Sequence, residues 1–399
     1  MISVTEAKKI ISESTSSLEP VVLPLQQAAG LVLAQDVYAV IDIPAFPQSS
    51  MDGYAFSFEG WKRYKKLKII GEIAAGSHEA YTLLPENAVR IFTGAAVPAG
   101  ADTVIMQEKA TIDPLTGSED ELMIEDEDLQ RGTSVRPKGS EIKAGALALE
   151  KGSVLSPAAI GFLAGIGITG IKVYPNPSIT IIITGNELQQ PGLPLKHGQV
   201  YESNSFALRS VLKQMQFDKI QVLYAVDKIE EVTGTLQKAL QQSDIVLLTG
   251  GISVGDYDFV LEAATECGVE QLFHKVKQRP GKPLYFGKKE NKLVFGLPGN
   301  PSSVLSCYYQ YVTLALQKLS KRKIALTSIR VPLKNSFQKS TKLTHFLKGF
   351  YDGNTATSLD AQDSYRLSSF AKANCLMQID EGTTSLKEGE LVDVYLLPQ

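Results

Sequence analysis

Between about residues 174 and 325 the chain alternates short apolar strands with amphipathic helical stretches, and no other feature limits its fold as tightly. Strand-like runs lie at 179–183, 219–225, 245–248 and 292–295, and helical patterns at 205–215, 229–241, 259–267 and 302–319. Apolar strands separated by helix-length crossovers predict βαβ units and a mostly parallel sheet covered on both faces. A chain of 399 residues exceeds what one core usually holds, so this α/β domain, placed at 174–325, is one of several.

The flanking segments read differently. Ser3 and Glu6 form a capping box ahead of Val4, Ala7, Ile10 and Ile11 at helical spacing. From 53 to 138 short β-rich pieces such as 67–70 and 88–92 alternate with Gly and Pro turns, which predicts a small inserted β domain. Its acidic stretch, 118–128, reads as a solvated hairpin tip. Around 156, Ser156 at the cap, Pro157 at the first helical position and glycine past the last turn spell a short helix. Residues 326–399 return to strand alternation and predict a small, barrel-like C-terminal β domain. The expected division is therefore 1–52 with 139–173 as an elongated discontinuous N-terminal domain, then 53–138, 174–325 and 326–399.

Composition excludes several classes. Forty Lys and Arg against 43 Asp and Glu leave a net charge of −3, which offers no bulk attraction for nucleic acid or membrane. Cys267, Cys307 and Cys375 form no CxxC pair, and the four histidines have no zincin spacing, so neither thiolate nor histidine metal chemistry is indicated. No apolar run reaches the ~18 residues of a membrane span, and the opening MISVTEAKKI lacks a leader pattern, which makes a cytoplasmic protein the expectation. Gly165, Gly167 and Gly170 match GxGxxG, but a helix precedes them and a strand follows, the reverse of a dinucleotide site. Gly250 and Gly255 have P-loop spacing, yet Asp256 and Tyr257 stand where Lys and Ser or Thr are required.

Three loops survive this sifting. Thr184-Gly185-Asn186-Glu187, the 249–256 stretch TGGISVGD and Gly296-Leu297-Pro298-Gly299-Asn300-Pro301 each follow an apolar strand and carry glycine for close backbone approach. In a parallel sheet all three open at the carboxyl ends of strands, where open α/β folds bind ligands. Glycine turns also occur without ligands, so the inference rests on three of them sharing one rim. Glu187, Asp227, Asp256 and Asp258 near strand ends suit a hard cation such as Mg²⁺, while Lys275, Lys277, Arg279 and Lys282 suit phosphate or another oxyanion. The helix starting near Ser302 adds free amides to the same rim. Upstream, the strings at 47–55 and 92–95 read from composition alone as connectors.

At these residues the sequence resembles the molybdopterin molybdenumtransferase family, which includes the E domain of gephyrin. The specific marks, in order along nearly the whole chain, are SSMDGYA at 49–55, FTGAAVPAGADTVIMQE at 92–108, TGNEL at 184–188, TGGISVGDYD at 249–258, RPGKP at 279–283 and GLPGNPSS at 296–303. The resemblance implies insertion of molybdate into adenylylated molybdopterin with release of AMP, assisted by Mg²⁺ or Zn²⁺, and a homodimer whose pocket is completed in trans by Asp52 and Thr93. It also implies a molybdopterin adenylyltransferase as supplier of the substrate.

Carried over by position, Asp52, Glu187, Asp227 and Asp258 resemble the acidic catalytic residues, Arg279 and Lys282 the cations of the oxyanion loop, and Glu187, Asp227, Asp256 and Asp258 the metal ligands. Gly250, Gly251, Ser253, Pro298, Gly299, Asn300 and Pro301 resemble the pterin and phosphate cradle. Thr93, Arg136, Glu141, Lys275, Lys277, Ser303, Lys348 and Ser364 complete the implied substrate contacts. Three positions depart from the family pattern: Glu141 replaces an aspartate, Lys348 an arginine and Asp363 a glycine. Two alternatives stay open at this point, an adenylyltransferase with the same α/β loops and a non-catalytic scaffold of the same fold.

Overall fold

The computed structural model describes residues 1–113, 121–252 and 259–398. They resolve into two compact units, one of residues 1–22, 30–34 and 172–399, the other of 23–29 and 35–171.

The larger unit is built on a six-stranded sheet. Strands β1 (Ile179–Thr184), β2 (Ile220–Ala225), β3 (Ile245–Thr249), β4 (Glu270–His274), β5 (Tyr285–Lys289) and β6 (Lys292–Leu297) stand in the order β2-β1-β3-β6-β5-β4. The first four of that order are parallel, while β5 and β4 add antiparallel strands at one edge. The mostly parallel reading holds. The edge pair was not predicted because it is polar: Glu270 and Gln271 are exposed, and β5 ends in Lys288 and Lys289.

Side-chain alternation sorts the sheet's two cores. Ile179, Ile181, Ile183, Ile245, Leu247 and Phe295 pack on one face with α1 (Val4–Ser14), α2 (Asn204–Gln214) and the long helical stretch after β6. Ile182, Val246, Leu248 and Val294 pack on the other with α3 (Ile229–Gln242) and α4 (Phe259–Glu266). With both faces covered, every residue of β1 is buried, which is why this strand is continuously apolar rather than alternating. The stretch after β6 is not one regular helix. A π-helical turn at Tyr308–Val312 separates α5 (Pro301–Cys307) from α6 (Thr313–Ser320). In α1, Ser3 Oγ accepts from the Glu6 amide at 3.1 Å, as the capping pattern predicts.

The same unit holds the C-terminal sheet, whose strands β7 (Ser328–Pro332), β8 (Thr344–Tyr351), β9 (Cys375–Ile379) and β10 (Leu391–Leu396) run in the order β8-β9-β10-β7. Val331, Leu347, Met377, Val392 and Val394 form its core. The two-residue strand Gln278–Arg279 pairs in parallel with Thr344 and His345 of β8, so the chain between β4 and β5 is stitched onto this sheet.

The second unit contains a six-stranded sheet ordered Thr103–Met106, Gly53–Phe56, Asn87–Ile91, Lys66–Ile73, Glu121–Ile124, Ala110–Asp113. Tyr54, Phe56, Leu67 and Ile105 pack on one face, Ala55, Val89, Ile91 and Val104 on the other. Two-residue pairings then extend along the chain, Gln48–Ser49 with Val135–Arg136 and Val37–Tyr38 with Leu147–Leu149. The helix Pro157–Gly165 is capped by Ser156 Oγ on the Ala159 amide at 3.2 Å.

Candidate active site

Strand register brings the turns at the sheet's carboxyl ends to one level. Thr184 stands opposite Ala225, Ile183 opposite Thr249, and Thr249 opposite Leu297, so the turns after β1, β2, β3 and β6 leave the sheet together. Thr184 Oγ1 donates to the Thr249 carbonyl at 3.2 Å and the Gly250 amide to the Leu297 carbonyl at 3.3 Å. The rim is dense enough to demand glycine. Gly250 has φ +89°, and a Cβ there would lie 2.8 Å from both the Thr184 carbonyl oxygen and its hydroxyl. Gly299 faces it, its would-be Cβ 3.8 Å from the Gly250 Cα. Pro298 is buried while Gly299 and Asn300 are exposed, which leaves the apex of the turn free to meet a ligand.

The turns also hold one another. The Asn186 amide donates to Asp227 Oδ2 and the Asp227 amide to Asn186 Oδ1, each at 3.2 Å. This exchange fixes Asp227 beside the loop that carries the exposed Glu187. Asn204, at the start of α2, donates through Nδ2 to the Gly299 carbonyl at 2.9 Å, a contact the sequence analysis missed. A cavity of about 510 Å³ opens beside Gly185 and Asn186, walled by Leu188, Gln189, Glu202 and Tyr224 among others.

A separate turn carries the cations. Arg279 and Lys282 are exposed on a turn that Gln278 fastens from below, donating to the Gly281 carbonyl at 2.9 Å and accepting from the Tyr311 hydroxyl. Arg279 also lines a cavity of about 240 Å³ with Phe337, Lys339, His345 and Gln362. Burial, then the charges of Lys339 and Arg279, pull the His345 imidazole down to about 4. It therefore stays neutral, with Nε2 2.8 Å from Thr341 Oγ1. Ser364, from the loop after β8, reaches the rim as well: its hydroxyl accepts from Asn300 Nδ2 at 2.9 Å and its carbonyl from the Ser302 amide at 3.1 Å.

Several expected contacts fall elsewhere. The Lys348 ammonium is buried and bonded to three backbone carbonyls, so it presents nothing to an oxyanion. Lys277 pairs with Glu381 at 3.2 Å, its charge already met. Lys275 is half-buried with φ +73° and Ser303 is buried beneath the Asn300 turn. Asp363 pairs with Arg366 at 3.4 Å, which offsets the negative charge this departure adds. Ser253, Asp256 and Asp258 lie outside the described residues, and among those described no three His, Cys, Asp or Glu side chains group closely enough to hold a metal.

Asp52, Thr93, Arg136 and Glu141 belong to the second unit, all exposed. There Asp52 Oδ1 accepts from both the amide and the hydroxyl of Thr93, each at 2.8 Å. Those two bonds, the amide first, hold the Asp52 carboxyl below its ordinary value. Arg136 sits on the strand paired with Gln48.

Fold and rim together define an open α/β protein whose glycine turns gather at the carboxyl ends of the parallel strands. The MoeA N-terminal region (domain I and II) matches residues 2–167, the probable molybdopterin binding domain 180–318, and the MoeA C-terminal region (domain IV) 330–397. The chain belongs to the molybdopterin molybdenumtransferase family. It is 31% identical to the molybdopterin molybdenumtransferase of Haemophilus influenzae over 99% of this chain and 98% of that one, and 34% identical to that of Staphylococcus epidermidis over 99% and 95%. Its structure is similar to that of the molybdopterin biosynthesis MoeA protein from Pyrococcus horikosii, with a TM-score of 0.82 and 29% identity over 99% of both chains. No helix among the described residues is long and apolar enough to cross a membrane.

Proposed function

We propose that this protein is a molybdopterin molybdenumtransferase that inserts molybdate into adenylylated molybdopterin and releases AMP. The observation that carries the reading is the level register of the turns after β1, β3 and β6, with glycine where a side chain would fill the rim. The family match along the whole chain supports it over a lone adenylyltransferase, because the resemblance extends through residues 2–167 and 330–397.

In this reading the glycine turns at Gly250, Gly251 and Gly299, which carry no side chain to fill the rim, receive the phosphates, and the 510 Å³ cavity beside Asn186 has the volume of a small-molecule site. Arg279 and Lys282 hold the doubly negative molybdate by charge-assisted hydrogen bonds. Glu187 and Asp227 supply hard carboxylate oxygens on adjacent strand ends, a donor set that fits Mg²⁺ better than a thiophilic ion. That cation, when bound, would offset charge at the phosphoanhydride. Asp52, oriented by Thr93, acts from the partner subunit of a homodimer, and an adenylyltransferase supplies the substrate. We assign the division into 1–52 with 139–173, 53–138, 174–325 and 326–399 to this architecture, with the helix Val4–Ser14 packed on the core of the larger unit and not within the N-terminal domain. The reaction belongs to the cytoplasm, where three free thiols are at home.

The test is AMP release from adenylylated molybdopterin by the purified protein with Mg²⁺, with and without molybdate, alongside Glu187→Ala. Molybdate-stimulated release that disappears in the variant is expected. No release under any combination of cation and oxyanion overturns the reading.

A further inference from the structure

Strand β8 carries a lysine that has left water altogether. Lys348 is 1% exposed, and its ammonium meets the carbonyls of Ala361 at 2.7 Å, Arg366 at 3.0 Å and Asp363 at 3.2 Å. An ammonium has three protons and no acceptor, so this cage uses all of its hydrogen-bonding capacity. The main chain of the same residue grips the same loop: its amide donates to Gln362 Oε1 at 3.0 Å, and its carbonyl accepts from Gln362 Nε2 at 2.8 Å and from the Leu359 amide at 3.0 Å. A buried cation is costly unless its donors are satisfied, and here satisfying them dictates the path of residues 361–366. Burial draws its pKa down, and Asp363 partly restores it.

That loop has one exposed errand. It delivers Ser364 to the turn after β6, where the serine carbonyl takes the Ser302 amide and its hydroxyl takes Asn300 Nδ2, on either side of Pro301. We propose that Lys348 is a positioning residue, whose caged ammonium folds residues 361–366 so that Ser364 braces the Asn300–Ser302 end of the substrate turn. The proposal rests on the reading of that turn as part of the substrate site. It separates two roles that a basic residue on β8 can play, since a caged ammonium affects the turn while a free one would touch molybdate.

The test uses the full-length protein with Lys348→Met, which keeps length and removes the donors, and Gln362→Leu, which cuts the other tether and leaves the ammonium in place. Amide exchange at Ser302 is read in the absence of any ligand, and AMP release is titrated separately with adenylylated molybdopterin and with molybdate. Both variants are expected to speed Ser302 exchange and raise the KM for the pterin by about tenfold, the effect of ~1.4 kcal/mol, with the KM for molybdate within about twofold of wild type. A raised molybdate KM with unchanged Ser302 exchange makes Lys348 a direct oxyanion ligand and overturns the proposal. If Lys348→Met does not fold, Lys348→Gln, which removes the charge and one of the three donors, takes its place, and wild-type Ser302 exchange there overturns the proposal. Because exchange needs no turnover, the result stands even if the protein releases no AMP.

Discussion

Gly250→Ala, set against Gly251→Ala and Gly299→Ala, tests whether the rim after β3 is as crowded as its geometry indicates. At Gly250 an alanine suffers twice. Its φ of +89° lies where L residues are disfavoured by ~1–2 kcal/mol, and its methyl would stand 2.8 Å from a backbone oxygen that is fixed in the sheet, an overpacking cost of ~1–3 kcal/mol. The sum is about 2–5 kcal/mol. At Gly251, φ is +61° and the nearest atom is a Val260 methyl at 3.1 Å, which can rotate away, leaving ~1–2 kcal/mol. At Gly299 φ is ordinary and the nearest atom is at 3.8 Å, so stability should change by less than ~0.5 kcal/mol. With ~2–4 °C per kcal/mol for a unit of this size, Gly250→Ala should lower Tm by roughly 4–20 °C and Gly299→Ala hardly at all. The melts are followed by far-UV circular dichroism, because the one tryptophan, Trp61, lies in the other unit. Gly299→Ala should still lose AMP release, since its methyl projects into the turn's exposed apex. Equal melting of Gly250→Ala and wild type, or equal losses at 250 and 299, refutes the argument.

Two further outcomes follow from burial. His345 binds a proton in the unfolded chain below about pH 6.5 but in the folded protein only near 4, so the unfolded state holds more protons between these values and stability falls as pH drops through that window; His345→Gln should flatten the dependence of Tm on pH there. Burial pushes the Cys307 and Cys375 thiols up to about 12 and raises that of Cys267, so a thiolate-selective reagent at pH 7.5 should label none of them in the native protein and all three in denaturant; rapid native labelling would contradict the packing around them.

What the sequence disclosed was what a short stretch of chain can encode alone. The Ser3 and Ser156 caps, the runs around Ile179 and Ile245, and the glycine turns at 185, 250 and 299 each carry their cause within a few residues, and the mostly parallel sheet followed from strand and helix alternation. The antiparallel edge escaped because its strands are too polar to stand out from loops. The π-helical turn at Tyr308–Val312 sits inside a pattern that any regular helix would share. In the candidate site, motifs pointed to Glu187, Gly250 and Asn300, whereas none pointed to Asn204, its acceptor at Gly299 being 95 residues away. Lys348 was misjudged for a related reason. In sequence it is a cation on an alternating strand, and only the carbonyls of residues 13 to 18 positions later turn it inward.

The helix Val4–Ser14 belongs to the unit that residues 172–399 build, not to the one that follows it along the chain. Its Val4, Ala7 and Ile11 share a core with Tyr308, Leu319, Phe346 and Leu397, and Lys8 donates to Gln310 at 2.7 Å while standing 4.7 Å over the Tyr395 ring. On a ribosome this helix is made before the 35–171 segment and before the residues within 308–397 that it packs with. It must wait, amphipathic and uncovered, while the 35–171 segment is synthesised with a core of its own, and the loop it finally closes is nearly the length of the chain. Until the residues within 308–397 have been made its apolar stripe lacks a complete partner surface, the kind of exposed surface that chaperones bind.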